Sequence, residues 1–436
     1  MIDTFKNHID QNFPFLQGKK LLLAVSGGID SMALTTIFHS LKYDIAIAHC
    51  NFNLRGIESD NDENFVQKKG QELAIKTFCI RFNTKTYALK NKISTQIAAR
   101  NLRYTWFKEL CLSNQFDYVL TAHHLDDNLE TFIINLTRGS GLEGFTGIPE
   151  INNNIVRPLL KFSREEIDLF AKENQIEWRE DLSNASTKYT RNKIRHQIVP
   201  ILKEINPSIL SSFQKTIQNL KGSQDIINNA VRSLKNEAFT ITNEYIKIKI
   251  SVIKRTPNYK PYLFEILKEY GFTEWNDVER LLSNQSGKFV LSKTHRLLKD
   301  REFLYVTKIS SGDNNEEFQI SKSNSSLTSP LHITLKNTTK VIKESLSNIF
   351  IDEDTITFPL TLRKWLPGDF FYPKGMKGKK KLSKFFKDEK YSLIDKETTW
   401  VLTSEEHIIW IIGKRQDQRF TVSSNTKKIT NINISQ

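Results

Sequence analysis

"LLLAVSGGIDSMAL" (residues 21–34) sets five apolar residues directly against Ser26-Gly27-Gly28, and a lone acid, Asp30, follows before a second apolar run begins. A short apolar run ending in small residues predicts a buried strand that turns into a helix. Two adjacent glycines let the backbone turn with no Cβ in the way, so N–H groups can point outward together. Ser31 is placed to cap the helix that follows, whose N-terminus is an anion site. Gly-Gly also makes ordinary strand-to-helix turns. Asp30 moves the reading toward phosphate, because a carboxylate beside a phosphate cradle calls for a bridging cation such as Mg²⁺. No Gly-x-x-x-x-Gly-Lys-Ser/Thr is present, which excludes a P-loop and its phosphate-reaching lysine.

Outward from this stretch, residues 19–138 read as four strand–helix units. Apolar runs at 19–25, 43–49, 77–82 and 117–122 are each followed by a longer segment of helical periodicity, such as 94–112. This alternation predicts an α/β fold, a parallel sheet with helices on both faces. Ligands bind such sheets at the carboxyl ends of the strands, where Ser26, His49 and the pair His123-His124 fall. Residues 158–200 continue the domain, with Ser163-Arg-Glu-Glu166 matching a capping box. The expected organisation is a catalytic domain over 1–205 and a mostly helical domain over 206–308. The latter includes strand pairs near 241–253 and 287–306. A Ser- and Asn-rich linker or surface loop covers 309–345, and a small, basic α/β C-terminal domain covers 346–436. The last residues, "NTKKITNINISQ", carry no strong pattern and are expected to be partly mobile.

A chain of 436 residues exceeds one typical core, and 39% hydrophobic with 26% charged residues describes a soluble protein. No run reaches the length of a membrane span and residues 1–20 lack the apolar segment of a signal peptide, so a cytoplasmic protein with no membrane partner is expected. A net charge of +14 points to a polyanionic partner. Three scattered cysteines, Cys50, Cys79 and Cys111, form no C-x-x-C pair, which argues against a disulfide framework, a zinc site or an iron–sulfur cluster. Oligomeric state is left open, a homodimer included.

"AHCNFNLRG" (48–56) places His49, Asn51 and Arg55 beyond the second strand. "TAHHLDDNLET" (121–131) is denser: His123, His124, Asp126, Asp127 and Glu130 are five titratable groups within eight residues. Acids in a first helical turn satisfy the helix dipole, yet five exceed what capping requires. Neither His-x-x-x-His spacing nor supporting cysteines are present, so the carboxylates suit Mg²⁺ better than zinc. "LTRGSGLEGFTGIP" (136–149) holds four glycines, with Arg138-Gly139-Ser140-Gly141 directly after the helix, which reads either as close backbone approach to a ligand or as a helix stop. Arg191 and Arg195 fall on one helix face, suited to phosphate or, equally, to salt bridges with Glu or Asp. Arg100 and Arg103 precede Tyr104. The stretch 371–390 carries eight lysines, among them Lys379, Lys380, Lys381 and Lys384, against two acids. Interleaved phenylalanines and Trp365 favour a folded loop that contacts an RNA backbone.

The segment Ser26-Gly27-Gly28-Ile29-Asp30-Ser31 resembles the pyrophosphate (PP) loop of the N-type ATP pyrophosphatases, adenine-nucleotide α-hydrolase-like enzymes. Most of the chain resembles one family among them, the tRNA(Ile)-lysidine synthetases. The resemblance rests on that loop, His49-x-Asn51-x-x-Leu54-Arg55, Arg100-x-x-Arg103-Tyr104 and His123-His-x-Asp-Asp-x-x-Glu-Thr131. It extends through Leu136-x-Arg-Gly-Ser-Gly-Leu142, Tyr189-x-Arg-Asn-x-x-Arg195, and Arg363-x-Trp-x-Pro-Gly-Asp369 with Lys-Lys-Leu-Ser-Lys384 beyond. Phe52 stands where that family often has a second histidine, so no duty of that histidine carries over.

The resemblance implies an ATP-dependent ligase. A wobble cytidine in a CAU-anticodon tRNA(Ile) is adenylated, and free L-lysine then displaces AMP. It implies that Ser26, Gly27, Gly28, Ile29, Asp30, Ser31 and His49 hold ATP, with Asp30 and Asp127 near Mg²⁺. Asp30, Asp127 and Glu130 are the expected catalytic acids, Asp127 and Glu130 forming an acidic pocket for the lysine ammonium. Arg138 to Gly141 are expected at lysine or phosphate. Arg100, Arg103, Arg191, Arg195 and the four lysines are expected at tRNA. A tRNA 2-thiolating enzyme would need a persulfide cysteine or a cluster. A GMP-synthetase-like amidotransferase would need a cysteine nucleophile motif. A plain RNA-binding module has no need of the acids at 126–130.

Overall fold

The computed structural model describes residues 1–180, 190–309, 316–323, 325–342, 344–376 and 378–435. Tyr189 and Lys377, both within motifs named above, lie outside the described residues. The chain forms two compact units, Met1–Asn228 and Asn229–Gln436.

The first unit opens with α1 (Ile2–Asn12) and runs through β1 (Lys20–Ala24), α2 (Ile29–Ser40), β2 (Asp44–Asn51), α3 (Ile57–Glu72) and β3 (Thr77–Arg81). It continues with α4 (Thr84–Asn91), α5 (Thr95–Asn114), β4 (Tyr118–Thr121), α6 (Leu125–Thr137) and α7 (Leu142–Phe145). A hairpin of β5 (Ile151–Asn152) and β6 (Ile155–Val156) precedes α8 (Arg164–Glu173). Then come α9 (Thr190–Lys193), a π-helical turn Ile194–Ile198, α10 (Val199–Ile205) and the long α11 (Ile209–Ala238), which runs on past the end of this unit at Asn228.

The sheet order is β3-β2-β1-β4-β6-β5, parallel except for the β5–β6 pair. β1 is apolar throughout its interior because both faces are covered. Leu21 and Leu23 enter a core with Phe5, Phe38 and Phe170, whereas Leu22 packs with Trp106 and Phe107 of α5 on the other side. The chain leaves β1 toward β2 on one side, while β4 lies on the other, so the order reverses at β1. That reversal opens a crevice at the strand ends, the usual ligand position in such sheets.

Ser163 and Glu166 form the expected capping box of α8. Ser31 does not cap α2. The helix starts three residues earlier than a Ser31 cap requires, with Gly28 as N-cap, and the buried Ser31 hydroxyl donates to Gly28 O at 2.8 Å. The hairpin β5–β6 was not legible, since two-residue strands carry no periodicity.

In the second unit a five-stranded antiparallel sheet takes the order Phe239–Ile241, Tyr245–Lys249, Phe303–Lys308, His295–Asp300, Phe289–Leu291. Helices Ile250–Arg255, Tyr259–Leu267 and Trp275–Leu281 share its core through Ile253, Leu267 and Val278. Helices outweigh strands over 206–308, as expected, but the strand anticipated up to 253 gives way to a helix at Ile250.

Two further four-stranded sheets enclose a common core that includes Leu362, Trp410, Ile351 and Ile432. The stretch 309–345, expected as linker, supplies strands Phe318–Ile320, Ser326–Leu327 and His332–Thr338 to them. Its Ser and Asn residues mask an alternation in which Ile320, Ile333 and Leu335 are buried. The C-terminal stretch is likewise a strand, Ile429–Ser435. It pairs with His332–Thr338 on one side and Asn348–Asp352 on the other, and Ile432 is fully buried. The expectation of a mobile end is therefore corrected.

Candidate active site

Gly27 sits at φ +91°, a backbone conformation that strains any L side chain, beside Val66 and Phe65 of α3. The positive φ is what calls for glycine as the chain leaves β1. Ser31 Oγ accepts from Ser26 N at 3.2 Å and Ser26 Oγ accepts from Gly28 N at 3.3 Å, which closes the loop on itself. Arg179 N donates to Gly27 O at 2.9 Å and holds the loop from outside. The first N–H groups of α2 have no partner within the helix and face the crevice with the positive end of its dipole. The result is a preformed anion cradle.

His49 does not line the crevice. Its Nδ1 lies 2.9 Å from Val25 O, and the residue is 4% exposed, so it holds the end of β1. Burial pushes its pKa down. Asn51 and Arg55 are likewise committed to the acids of α3: Asn51 donates to Glu63 at 2.8 Å and Arg55 to Asp62 at 2.8 Å. The motif after β2 is therefore the frame of the loop.

The acids of α6 divide into distinct roles. His124 is the N-cap, and its Nδ1 accepts from Asp127 N, which leaves Nε2 as the N–H donor. That atom lies 3.4 Å from Asp127 Oδ2 and 3.9 Å from Asp30 Oδ1, so His124 stands between the two carboxylates. Burial drives the Asp30 carboxyl above its usual range, against the charges of His124 and Arg164. Burial also pushes Asp127 up, but His124, His123, Arg191 and Arg195 outweigh it and hold Asp127 below its usual value. Two nearby acids pushed apart in this way can divide their duties. Burial lowers the neighbouring His123 to about 4.

Glu130 was expected to reach the lysine amine. Instead it is 1% exposed, does not line the crevice, and has both oxygens occupied. Arg191 Nε donates to Oε2 at 2.9 Å and Arg195 Nε to Oε1 at 2.5 Å, while Arg195 Nη2 also reaches Asp127 Oδ1 at 2.9 Å. The salt-bridge alternative for Arg191 and Arg195 is thus the observed one, and both line the crevice while so engaged. Arg138 to Gly141 are not brought to this crevice. They follow the C-terminal end of α6, about 16 Å along the helix from Asp127, and none lines the crevice.

The crevice encloses about 340 Å³ between the loop and an aromatic wall. Phe52 stacks on Phe82 with centroids 5.8 Å apart, and the Arg103 guanidinium lies 5.2 Å over the Phe52 ring. Arg100 packs similarly on Tyr104 at 4.9 Å. Phe52, Arg103 and Tyr104 all face the cavity, a surface suited to stacking a base. Cys50 also lines it, with burial pushing its thiol up to about 12, the reverse of the activation that sulfur transfer requires. Sequence reasoning missed Arg164, whose Nη1 lies 2.5 Å from Asp30 Oδ2, and Arg179. Arg164 was legible only as part of the Ser163–Glu166 capping box, which says nothing of Asp30, and Arg179 has no motif around it.

In the second unit, Arg363 and Asp369 form a two-pronged pair with both distances 2.9 Å, fixing the turn before the lysine-rich stretch. Phe371, Leu382, Phe385 and Phe386 are buried beneath it. Lys379, Lys381 and Lys384 are exposed above this core, and Lys380 pairs with Asp388 at 2.7 Å.

Fold and loop together define a PP-loop ATP-pyrophosphatase type of catalytic domain, and the family model described as the PP-loop domain matches residues 1–202. The TilS substrate binding domain matches 241–309 and the TilS substrate C-terminal domain 360–434. The tRNA(Ile)-lysidine synthase of Parabacteroides distasonis is 37% identical over 440 residues, covering 100% of both chains. That of Bacteroides thetaiotaomicron is 37% identical over 97% of each chain, and that of Bacillus subtilis 29% identical over 95% of this chain and 93% of its own. The chain belongs to the tRNA(Ile)-lysidine synthase family.

Proposed function

We propose that the protein uses ATP to join free L-lysine to the wobble cytidine of a CAU-anticodon tRNA(Ile), releasing AMP and pyrophosphate. The observation that carries this reading is the row Asp30–His124–Asp127 beside the Ser26–Ser31 cradle, facing the wall of Phe52, Arg103 and Tyr104. A phosphate cradle opposite a stacking wall suits two nucleotides meeting in one cleft. The C2 oxygen of cytidine attacks the α-phosphorus, the α–β bridging bond breaks, and pyrophosphate leaves. The lysine ε-amine then forms the C2–N bond, loses a proton, and AMP departs with the former C2 oxygen.

Free lysine is almost wholly ammonium near pH 7. Asp127 faces the crevice as a carboxylate and is the group to attract it. Glu130 sets the position of Asp127 through Arg195. Mg²⁺ fits the site: Asp30 Oδ1 is buried with no hydrogen-bond partner, and the donors at hand are hard carboxylate oxygens. Among the described residues no group of three or more metal-ligating side chains is assembled, so Asp30, with Asp127, would hold the ion together with substrate phosphate oxygens. When bound, the ion supplies neutralising charge to the phosphates.

Among the described residues, no helix is long and apolar enough to cross a membrane. The exposed lysines of the second unit support contact with tRNA phosphates. Incubation with ATP, Mg²⁺, radiolabelled lysine and tRNA transcripts tests the reading. Label should enter only the CAU-anticodon isoleucine tRNA, and equal labelling of an elongator methionine tRNA, or none at all, would refute it.

A further inference from the structure

Asp126 is the acid of the 123–130 cluster that the proposed reaction leaves unused. It is 7% exposed and does not line the crevice. Its Oδ2 accepts from Arg164 N at 2.8 Å and its Oδ1 meets Lys203 Nζ at 3.0 Å. Arg164 in turn sends Nε to Asp168 Oδ1 at 2.9 Å and Nη1 to Asp30 Oδ2 at 2.5 Å. Carboxylates from α6, α8 and α2 therefore converge on one arginine, fixing its backbone, its Nε and its outer nitrogen separately.

With Oδ2 of Asp30 tied, the plane of that carboxylate is set. Its other oxygen is buried, lacks a hydrogen-bond partner and belongs to a residue lining the crevice. Untied, Asp30 could rotate Oδ1 toward His124 Nε2, now 3.9 Å away, and lose its aim at the phosphates. We infer that Arg164 is a positioning residue that presents Asp30 Oδ1 to a divalent cation on the nucleotide phosphates, and that Asp126 acts on this site only through Arg164. The inference rests on the cation role proposed above for Asp30.

The test is a Mn²⁺ titration of the full chain by electron paramagnetic resonance in the presence of α,β-methylene-ATP, with nucleotide affinity measured separately without metal. Arg164→Gln should weaken Mn²⁺ binding about tenfold and metal-free nucleotide binding less than about twofold, an offset in which orientation of one ligand oxygen changes while the anion cradle does not. Arg164→Lys should recover part of the loss. Asp126→Asn should weaken Mn²⁺ severalfold, and the double variant Asp126→Asn/Arg164→Gln should be no worse than Arg164→Gln alone. Additive losses would break the route from Asp126 through Arg164. Wild-type Mn²⁺ affinity in Arg164→Gln, with affinity lost in Asp30→Asn, would overturn the inference alone. Wild-type affinity in Asp30→Asn would overturn the cation role beneath it.

Discussion

Arg195 binds Glu130 Oε1 at 2.5 Å and Asp127 Oδ1 at 2.9 Å, so one guanidinium couples a buried acid to an acid of the crevice. The buried member anchors the guanidinium, and the other lines the crevice. Attraction at Glu130 determines how far Arg195 can lean toward Asp127, and hence how much of the Asp127 charge remains for a ligand.

Glu130→Gln should therefore disturb both half-reactions. Losing the charge leaves two guanidiniums with a neutral amide, and breaking such a buried pair costs about 3 kcal/mol before solvent at the half-exposed arginines reduces it. Arg195 should then close on Asp127. A lowered Tm is expected, together with slower pyrophosphate release and slower lysine transfer. If only the KM for lysine rises, Glu130 meets the amine directly.

Asp30→Ala should abolish adenylation with tRNA affinity nearly unchanged. The carboxylate stands behind a phosphate loop that has no P-loop lysine to share the charge. Pyrophosphate release at the wild-type rate in this variant would contradict the role.

His123 predicts a pH dependence of stability. Its folded pKa is about 4 because burial disfavours the imidazolium, against about 6.5 unfolded. Above pH 6.5 the ring is neutral in both states and costs nothing. As pH falls from 6.5 toward 4 the unfolded chain takes up the proton first, so stability is lost, by up to about 3 kcal/mol, and levels off below pH 4. His49, lowered for the same reason, adds to the wild-type slope. Denaturant unfolding from pH 4 to 8 should show a shallower loss in His123→Asn, and parallel curves would refute the assignment.

The catalytic sheet was legible because each of its first four strands is a short, largely apolar run followed by a helical segment, and the strand-end rule then placed the site. The roles inside the site were less legible, since the spacing of Asp126, Asp127 and Glu130 fixes only which helix face each occupies. Which acid meets solvent depends on Arg164, Arg191 and Arg195, which arrive from elsewhere in the chain. In the second unit, strands such as His332–Thr338 and Ile429–Ser435 alternate Ile or Leu with Asn, Thr and Lys. That half-buried alternation reads as loop when the polar members are turn formers.

The lysine-rich stretch carries the last prediction. Deleting 346–436 would not test it cleanly, because strand Ile429–Ser435 pairs with His332–Thr338, so the deletion would remove a core partner from the remaining chain. Charge removal on the surface is the better probe. Lys379, Lys381 and Lys384 are exposed, while Phe371, Phe385 and Phe386 keep the fold beneath them. Replacing the three lysines with alanine should leave Tm almost unchanged, since such surface substitutions typically shift stability by no more than about 0.5 kcal/mol. Each lysine that neutralises a phosphate contributes about 0.9 to the slope of log affinity against log salt, so the triple variant should flatten that slope by about 2 to 3. KM for tRNA should rise, and pyrophosphate release at saturating tRNA should persist. Fluorescence titrations of tRNA from 50 to 300 mM salt read the slope directly. An unchanged slope in the folded triple variant would assign these lysines to a solvated face.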